Sequence, residues 1–159
     1  MVGAGGIYYG ENMYDIMQLG AKGVQVASRF VTTEECDADV KFKNTYVKAV
    51  ENDVEIIQSP VGMPGRALEG KFLENVKLGL TRPKSCPYNC LHTCDYKVVP
   101  YCIILALYNA YKGKMDKGYA FARSNAYLSA RISTVKEVIH SMISEFNKKE
   151  ADVMAGSKV

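Results

Sequence analysis

The tightest constraint on this chain lies near its start, where two apolar runs each end in small residues, Val2-Gly3-Ala4-Gly5-Gly6-Ile7 and Gly23-Val24-Gln25-Val26-Ala27-Ser28. Between them Met13, Ile16 and Met17 recur at helical spacing after Gly10-Glu11-Asn12, and Gly20 stands where that helix should close. Apolar runs without strict alternation suit strands covered on both faces. Strand, helix and strand in so short a space predict one βαβ unit, right-handed, with its two strands parallel.

The rest of the chain reads as less regular. Thr32 and Glu35 have the spacing of a capping box and predict a helix to about Val50, with Val40, Tyr46, Val47 and Val50 as its buried stripe. Val54 to Ile57 predicts a brief strand, followed by a loop from Ser59 to Arg66 that is dense in Gly and Pro. The stretch from Cys86 to Cys102 predicts an irregular loop, and Ile103, Ala106, Leu107, Ala110 and Tyr111 one face of a helix that Gly113 ends. A second capping box, Thr134 and Glu137, opens the clearest helix, with Val135, Val138, Ile139, Met142, Ile143 and Phe146 at spacings of three and four. From Lys148 to Val159 the sequence is polar and predicts a frayed tail.

The paired strand ends carry the chemistry. A phosphate needs several backbone N–H donors converging on it, and glycine lets the backbone approach without a Cβ in the way. In barrel enzymes such a site is often built from the loops after the last two strands, which two adjacent parallel strands ending in Gly5-Gly6 and Ala27-Ser28 match, with the Ser28 hydroxyl as a further donor. A Rossmann fingerprint does not fit, because Tyr8 stands where its third glycine belongs. Nor does a nucleic-acid partner, since 20 basic residues are scattered among 17 acidic ones for a net charge of +3. No apolar run approaches the roughly 20 residues of a membrane span, and Met1 to Gly6 lacks the features of a signal peptide, so the expected location is cytoplasmic.

Several stretches resemble one family. Gly3 to Ile7, Met17 to Gln25 and Arg29 to Cys36 are similar to the last two barrel strands of the nitronate monooxygenases, once called 2-nitropropane dioxygenases. Ser59 to Leu68 resembles that family's post-barrel loop, and the likeness continues through Tyr101-Cys102 and Ser124-Asn125-Ala126-Tyr127 to the last helix. The resemblance implies the C-terminal part of a (β/α)8 TIM-type barrel followed by a mostly helical extension. Residues 1–50 would be the last two βα units of an FMN-binding barrel, 51–147 the post-barrel loop, cysteine-rich segment and helices, and 148–159 a flexible tail. A whole barrel needs about 250 residues, so the expectation is an amino-terminal half supplied from elsewhere, or self-association. FMN is the implied cofactor, held by Gly5, Gly6, Gln25, Ala27 and Ser28. Ala27-Ser28 replaces the family's usual Gly-Thr, keeping the hydroxyl and adding a Cβ.

The implied activity is flavin-dependent oxidation of an alkyl nitronate or other small-molecule substrate, with enoyl-acyl-carrier-protein or quinone reduction on the same barrel as alternatives. The family's proton-abstracting histidine lies upstream of this segment, and neither His92 nor His140 takes its place. Arg66, Tyr8, Tyr9, Asn125 and Tyr127 are candidate pocket residues, with a solvated helix start the alternative for Arg66 and core packing the default for the tyrosines, whereas Ala122 and Arg123 depart from the family's pattern. A separate signal is Cys86, Cys90, Cys94 and Cys102, spaced C-x3-C-x3-C-x7-C, which suits an iron–sulfur cluster or a tetrahedral zinc and would make the chain a metal-binding or assembly module. The alternative is four reduced thiols packing as small hydrophobes.

Overall fold

In the computed structural model, residues 1–92 and 94–156 are described. The predicted βαβ unit is present: β1 (Gly3–Ala4), α1 (Gly10–Gln18) and β2 (Val24–Gln25), with the strands parallel and Gly3 opposite Val24. Both strands are shorter than their apolar runs, because the pairing stops where Gly5 and Gly6 turn the backbone into the left-handed region (φ 87° and 72°). Gly20 closes the helix as expected, with φ 95° and its N–H donated to the Met17 carbonyl at 3.0 Å.

The long helix expected after Thr32 does not form. Instead α2 (Ser28–Val31) is one turn long, and α3 (Val40–Val47) begins only at Asp39, whose carboxylate accepts from the Lys41 amide at 2.8 Å. The reason is competition for the capping groups. The hydroxyls of Thr32 and Thr33 donate back to the carbonyls of Arg29 and Phe30, and the Glu35 carboxylate accepts from the distant Val135 amide at 2.9 Å. The buried face of α3 is Lys43 and Tyr46, while Val40 and Val50 are exposed. Lys43 is accommodated because its ammonium donates to the Thr33 and Glu34 carbonyls at 2.7 and 3.3 Å.

Next comes an antiparallel hairpin, β3 (Val54–Gln58) and β4 (Pro64–Leu68), so Pro64 to Arg66 belong to a strand and only the turn before them is loop. Residues 120 and 122 extend it: Leu68 donates to the Ala120 carbonyl, and Ala122 to that of Arg66. Successive β4 residues face opposite sides, so Ala67 packs with Phe72, Leu73, Tyr101 and Tyr119, and Leu68 with Tyr46, Ala49, Ala122 and Ala126. One strand thus divides two cores. The helix α4 (Lys71–Lys77), not foreseen, covers the first with Phe72 and Leu73. Irregular chain leads from it to α5 (Ile103–Tyr111), which Gly113 ends with φ 73°.

The last helix, α6 (Val135–Gly156), starts at the predicted capping box: the Thr134 amide reaches Glu137 at 2.9 Å and the Glu137 amide reaches the Thr134 hydroxyl at 3.2 Å. Residues 148–156, expected to fray, continue this helix, and the rest of that predicted tail lies outside the described residues. Val138 and Met142 of α6 pack with Ile7 into a third core, flanked by Met13, Ile16, Val24, Val26 and Phe30. Contact between α1 and α6 is close enough that Gly10 has no room for a Cβ, which would overlap the Met142 carbonyl and approach the Phe146 nitrogen to 2.6 Å. Gly10→Ala should therefore force the helices apart at a cost of about 1–3 kcal/mol. Thermal unfolding should show a midpoint about 2–12 °C lower, and an unchanged midpoint would contradict this packing.

Candidate functional site

The ends of β1 and β2 open into a notch lined by Gly5, Gly6, Gln25, Ala27 and Ser28, so the five residues singled out from the sequence come together. Gly5 and Gly6 are exposed, and a Cβ on Gly6 would meet nothing within 4 Å. What demands glycine at Gly6 is therefore the left-handed backbone, not crowding. The turn is held from afar, because the Asn125 amide donates to the Gly6 carbonyl at 2.8 Å. That bond leaves the carbonyl occupied and the open side of the turn free for an acceptor.

Arg123 and Asn125 complete the notch. The guanidinium of Arg123 lies 3.3 Å from where a Gly5 Cβ would stand, so the glycine backbone lets a cation approach the turn closely. The sequence comparison with the family set Arg123 aside as a departure; no local signal marks it, since hydrogen bonding along β4 is what carries 120–122 and then Arg123 to the notch. Beyond Ala27, Ser28 and Arg123 the notch widens into a cleft of about 530 Å³ walled by Arg66, Gly65, Ile56, Tyr46 and Phe121. Arg66, for which the sequence also left a solvated helix start open, lies in strand β4 and lines the cleft. No carboxylate lines either space among the described residues, so notch and cleft form a basic, partly apolar hollow.

A cross-link fixes the position of Ser28. Its neighbour Arg29 donates to the Tyr8 carbonyl at 2.7 Å and to the Ser141 hydroxyl at 2.6 Å, pairs with Glu145 at 3.4 Å, and lies over the Tyr8 ring. Glu145 also accepts the Gly10 amide at 2.6 Å and the Ser141 hydroxyl at 2.6 Å. Tyr8 is buried and its hydroxyl meets Ser129 at 3.2 Å; burial, partly offset by that bond, raises the phenol above its ordinary range. Tyr8 lines the notch from within the fold, whereas Tyr9 lies over the outer side of Arg29.

The histidines stand elsewhere. His140 is exposed on α6, and His92 is exposed in the cysteine loop; neither lines the notch or the cleft. All four loop cysteines line one other small apolar cavity. Among the described residues no three His, Cys, Asp or Glu side chains are grouped to hold a single metal ion, so the tight tetrahedral set expected for zinc is not found. No helix is long and apolar enough to cross a membrane among the described residues.

A family model described as nitronate monooxygenase matches residues 1–145. A probable nitronate monooxygenase of Staphylococcus saprophyticus is 33% identical over 76 residues, which is 48% of this chain and 21% of that protein. Another, from Staphylococcus haemolyticus, is 32% identical over 77 residues, covering 48% and 22%. Among solved structures, FabK from Thermotoga maritima superposes with a TM-score of 0.76 at 24% identity, over 97% of this chain and 46% of that one. A nitroalkane oxidase from Streptomyces ansochromogenes gives 0.69 at 20% identity, over 96% and 40%. The chain thus spans less than half the length of these solved relatives, and its match spans about a fifth of the curated ones.

The Glu145 cross-link predicts an acid-sensitive step. Partial burial opposes ionisation, but bonds from Ser141, the Gly10 amide and Arg29 outweigh it and hold the carboxyl below its ordinary value. A carboxyl lowered in the folded state stabilises fully above its unfolded value, about 4.3, and that stabilisation is lost as pH falls through the folded value. Glu145→Gln should lower the unfolding midpoint at pH 7 and narrow its gap from the parent protein as pH is taken to 3. A gap that stays constant across that range would rule out the ionised cross-link.

Proposed function

Because the chain belongs to the nitronate monooxygenase family, we propose that it is the phosphate-gripping, carboxyl-terminal part of an FMN-dependent (β/α)-barrel oxidoreductase acting on alkyl nitronates. The single observation that carries this reading is the notch. Consecutive left-handed glycines at one strand tip face Gln25, Ala27 and Ser28 at the neighbouring tip, with a guanidinium over the turn and no carboxylate nearby. Backbone amides free of a Cβ, a hydroxyl and a fixed positive charge suit a phosphate monoester.

In this reading Gly5, Gly6, Ser28 and Arg123 hold the phosphate, and Gln25 borders it. The wider cleft beside Arg66 receives the remainder of the cofactor or the substrate. The flavin supplies the electron acceptor for the nitronate. The chain's own residues bind and orient, and the Arg29 and Asn125 contacts keep the two strand tips in register. No histidine lines the hollow, so the group that takes the substrate's proton is assigned to a segment outside this chain. The same source, an amino-terminal half or a second copy, supplies partners for β1 and β2, which pair only with each other among the described residues.

Flavin titration followed by fluorescence tests the grip, with the complete barrel assembled by co-expressing an amino-terminal half. Gly6→Val, which strains a left-handed turn, should weaken FMN binding at least tenfold. Arg123→Gln removes a charge-assisted bond of about 1.5–3 kcal/mol, equivalent to roughly 10–100-fold in Kd. Riboflavin, which lacks the phosphate, should bind both variants as it binds the parent. Equal losses for FMN and riboflavin would overturn the phosphate assignment, and nitronate turnover by the assembled protein tests the substrate.

A further inference from the structure

Away from the flavin site, the described residues between α4 and α5 form no regular secondary structure, an unusual length of loop to be ordered by its own packing. What lies at its centre is sulfur. Cys86, Cys90, Cys94 and Cys102 all line one enclosed cavity, whose remaining wall is apolar and includes Pro60, Val61, Val99 and Ile103. The backbone reverses between the first two cysteines at Asn89, which takes a left-handed conformation (φ 43°), and this turns the Cys86 and Cys90 thiols toward the same space. All four thiols are free.

We propose that these four cysteines bind an iron–sulfur cluster. The arrangement discriminates between metals. At a Zn–S distance of about 2.3 Å, tetrahedral thiolates lie about 3.8 Å apart in one tight group, and no such single-ion group occurs among the described residues. A cluster distributes its thiolate ligands over several irons, so it takes sulfurs that surround a cavity instead of touching one another. The apolar wall suits a cluster shielded from water, and the sequence spacing keeps every ligand on one loop and the start of α5.

The cavity's Pro60 and Val61 come from the turn of the β3–β4 hairpin, whose second strand carries Arg66 at the flavin cleft. A cluster here would brace that hairpin.

The test uses the full chain purified without oxygen and reconstituted with ferrous iron and sulfide, with iron, acid-labile sulfide and zinc measured directly. These assays are independent of bound flavin, so their outcome does not depend on the phosphate grip. Expected are about equal iron and sulfide, two or four of each per chain. Cys90→Ser, at the exposed ligand, and Cys94→Ser should each lose at least half of both with the far-ultraviolet circular dichroism preserved. Cys36→Ser, outside the loop, should lose none. Iron without sulfide, zinc in place of both, neither element, or equal loading in all three variants would each overturn the proposal.

Discussion

The contact on which the rest of the molecule depends is the junction of Arg29 with Glu145. A two-stranded parallel sheet has little to hold it, and here β1 and β2 are only two residues each. The guanidinium ties the end of β2 to the Tyr8 carbonyl that follows β1, and the carboxylate ties both to the α1 amino terminus through Gly10. One ion pair therefore joins strand, turn and two helices. Ser141 fixes both partners, which gives the pair a defined geometry that an exposed salt bridge would lack. The surrounding core of Ile7, Val138 and Met142 excludes water from one side.

That junction lets distant segments build the notch. Asn125 and Gly6 are 119 residues apart in sequence, yet they meet because residues 120–122 are hydrogen-bonded to β4 and the chain then passes over the strand tips. Tyr46 contributes from α3 by donating to the Phe121 carbonyl. Its phenol is raised well above its ordinary range by burial, with Cys36 adding a smaller push, so it remains a neutral donor. The notch is thus walled by three separately anchored pieces: the glycine turn, the chain from Gln25 to the start of α2, and the segment from Arg123 to Asn125.

Features whose partners are close in sequence were legible from sequence. Thr134 and Glu137 satisfy each other within one turn, and the glycine pair ends its strand through backbone conformation alone. Thr32 and Glu35 have the same spacing and mislead, because Glu35 finds the Val135 amide and the threonine hydroxyls bond backward. Lys43 gives no periodic clue that it is buried, since only the Thr33 and Glu34 carbonyls make that position tolerable. Arg123 was invisible as a site residue for the same reason: its role arises from strand pairing across the fold. The α/β character, the βαβ unit and the first strand of the hairpin were readable, while the short α2, the strand β4 and the helix α4 were not.

Binding and chemistry are separable in this architecture. The groups that define the notch are anchored by contacts internal to the chain: Asn125 on the glycine turn, Arg29 behind Ser28, and β4 beneath Arg123. Strands added beside β1 or β2 would cover apolar surface such as Val2, 64% exposed, without supplying any of those anchors. Under the proposed phosphate assignment, a grip that does not depend on the added strands would form first and then organise the cleft around the bound anion, since binding to the folded state alone stabilises that state. In that assignment, substrate choice would rest with whatever closes the cleft beside Arg66.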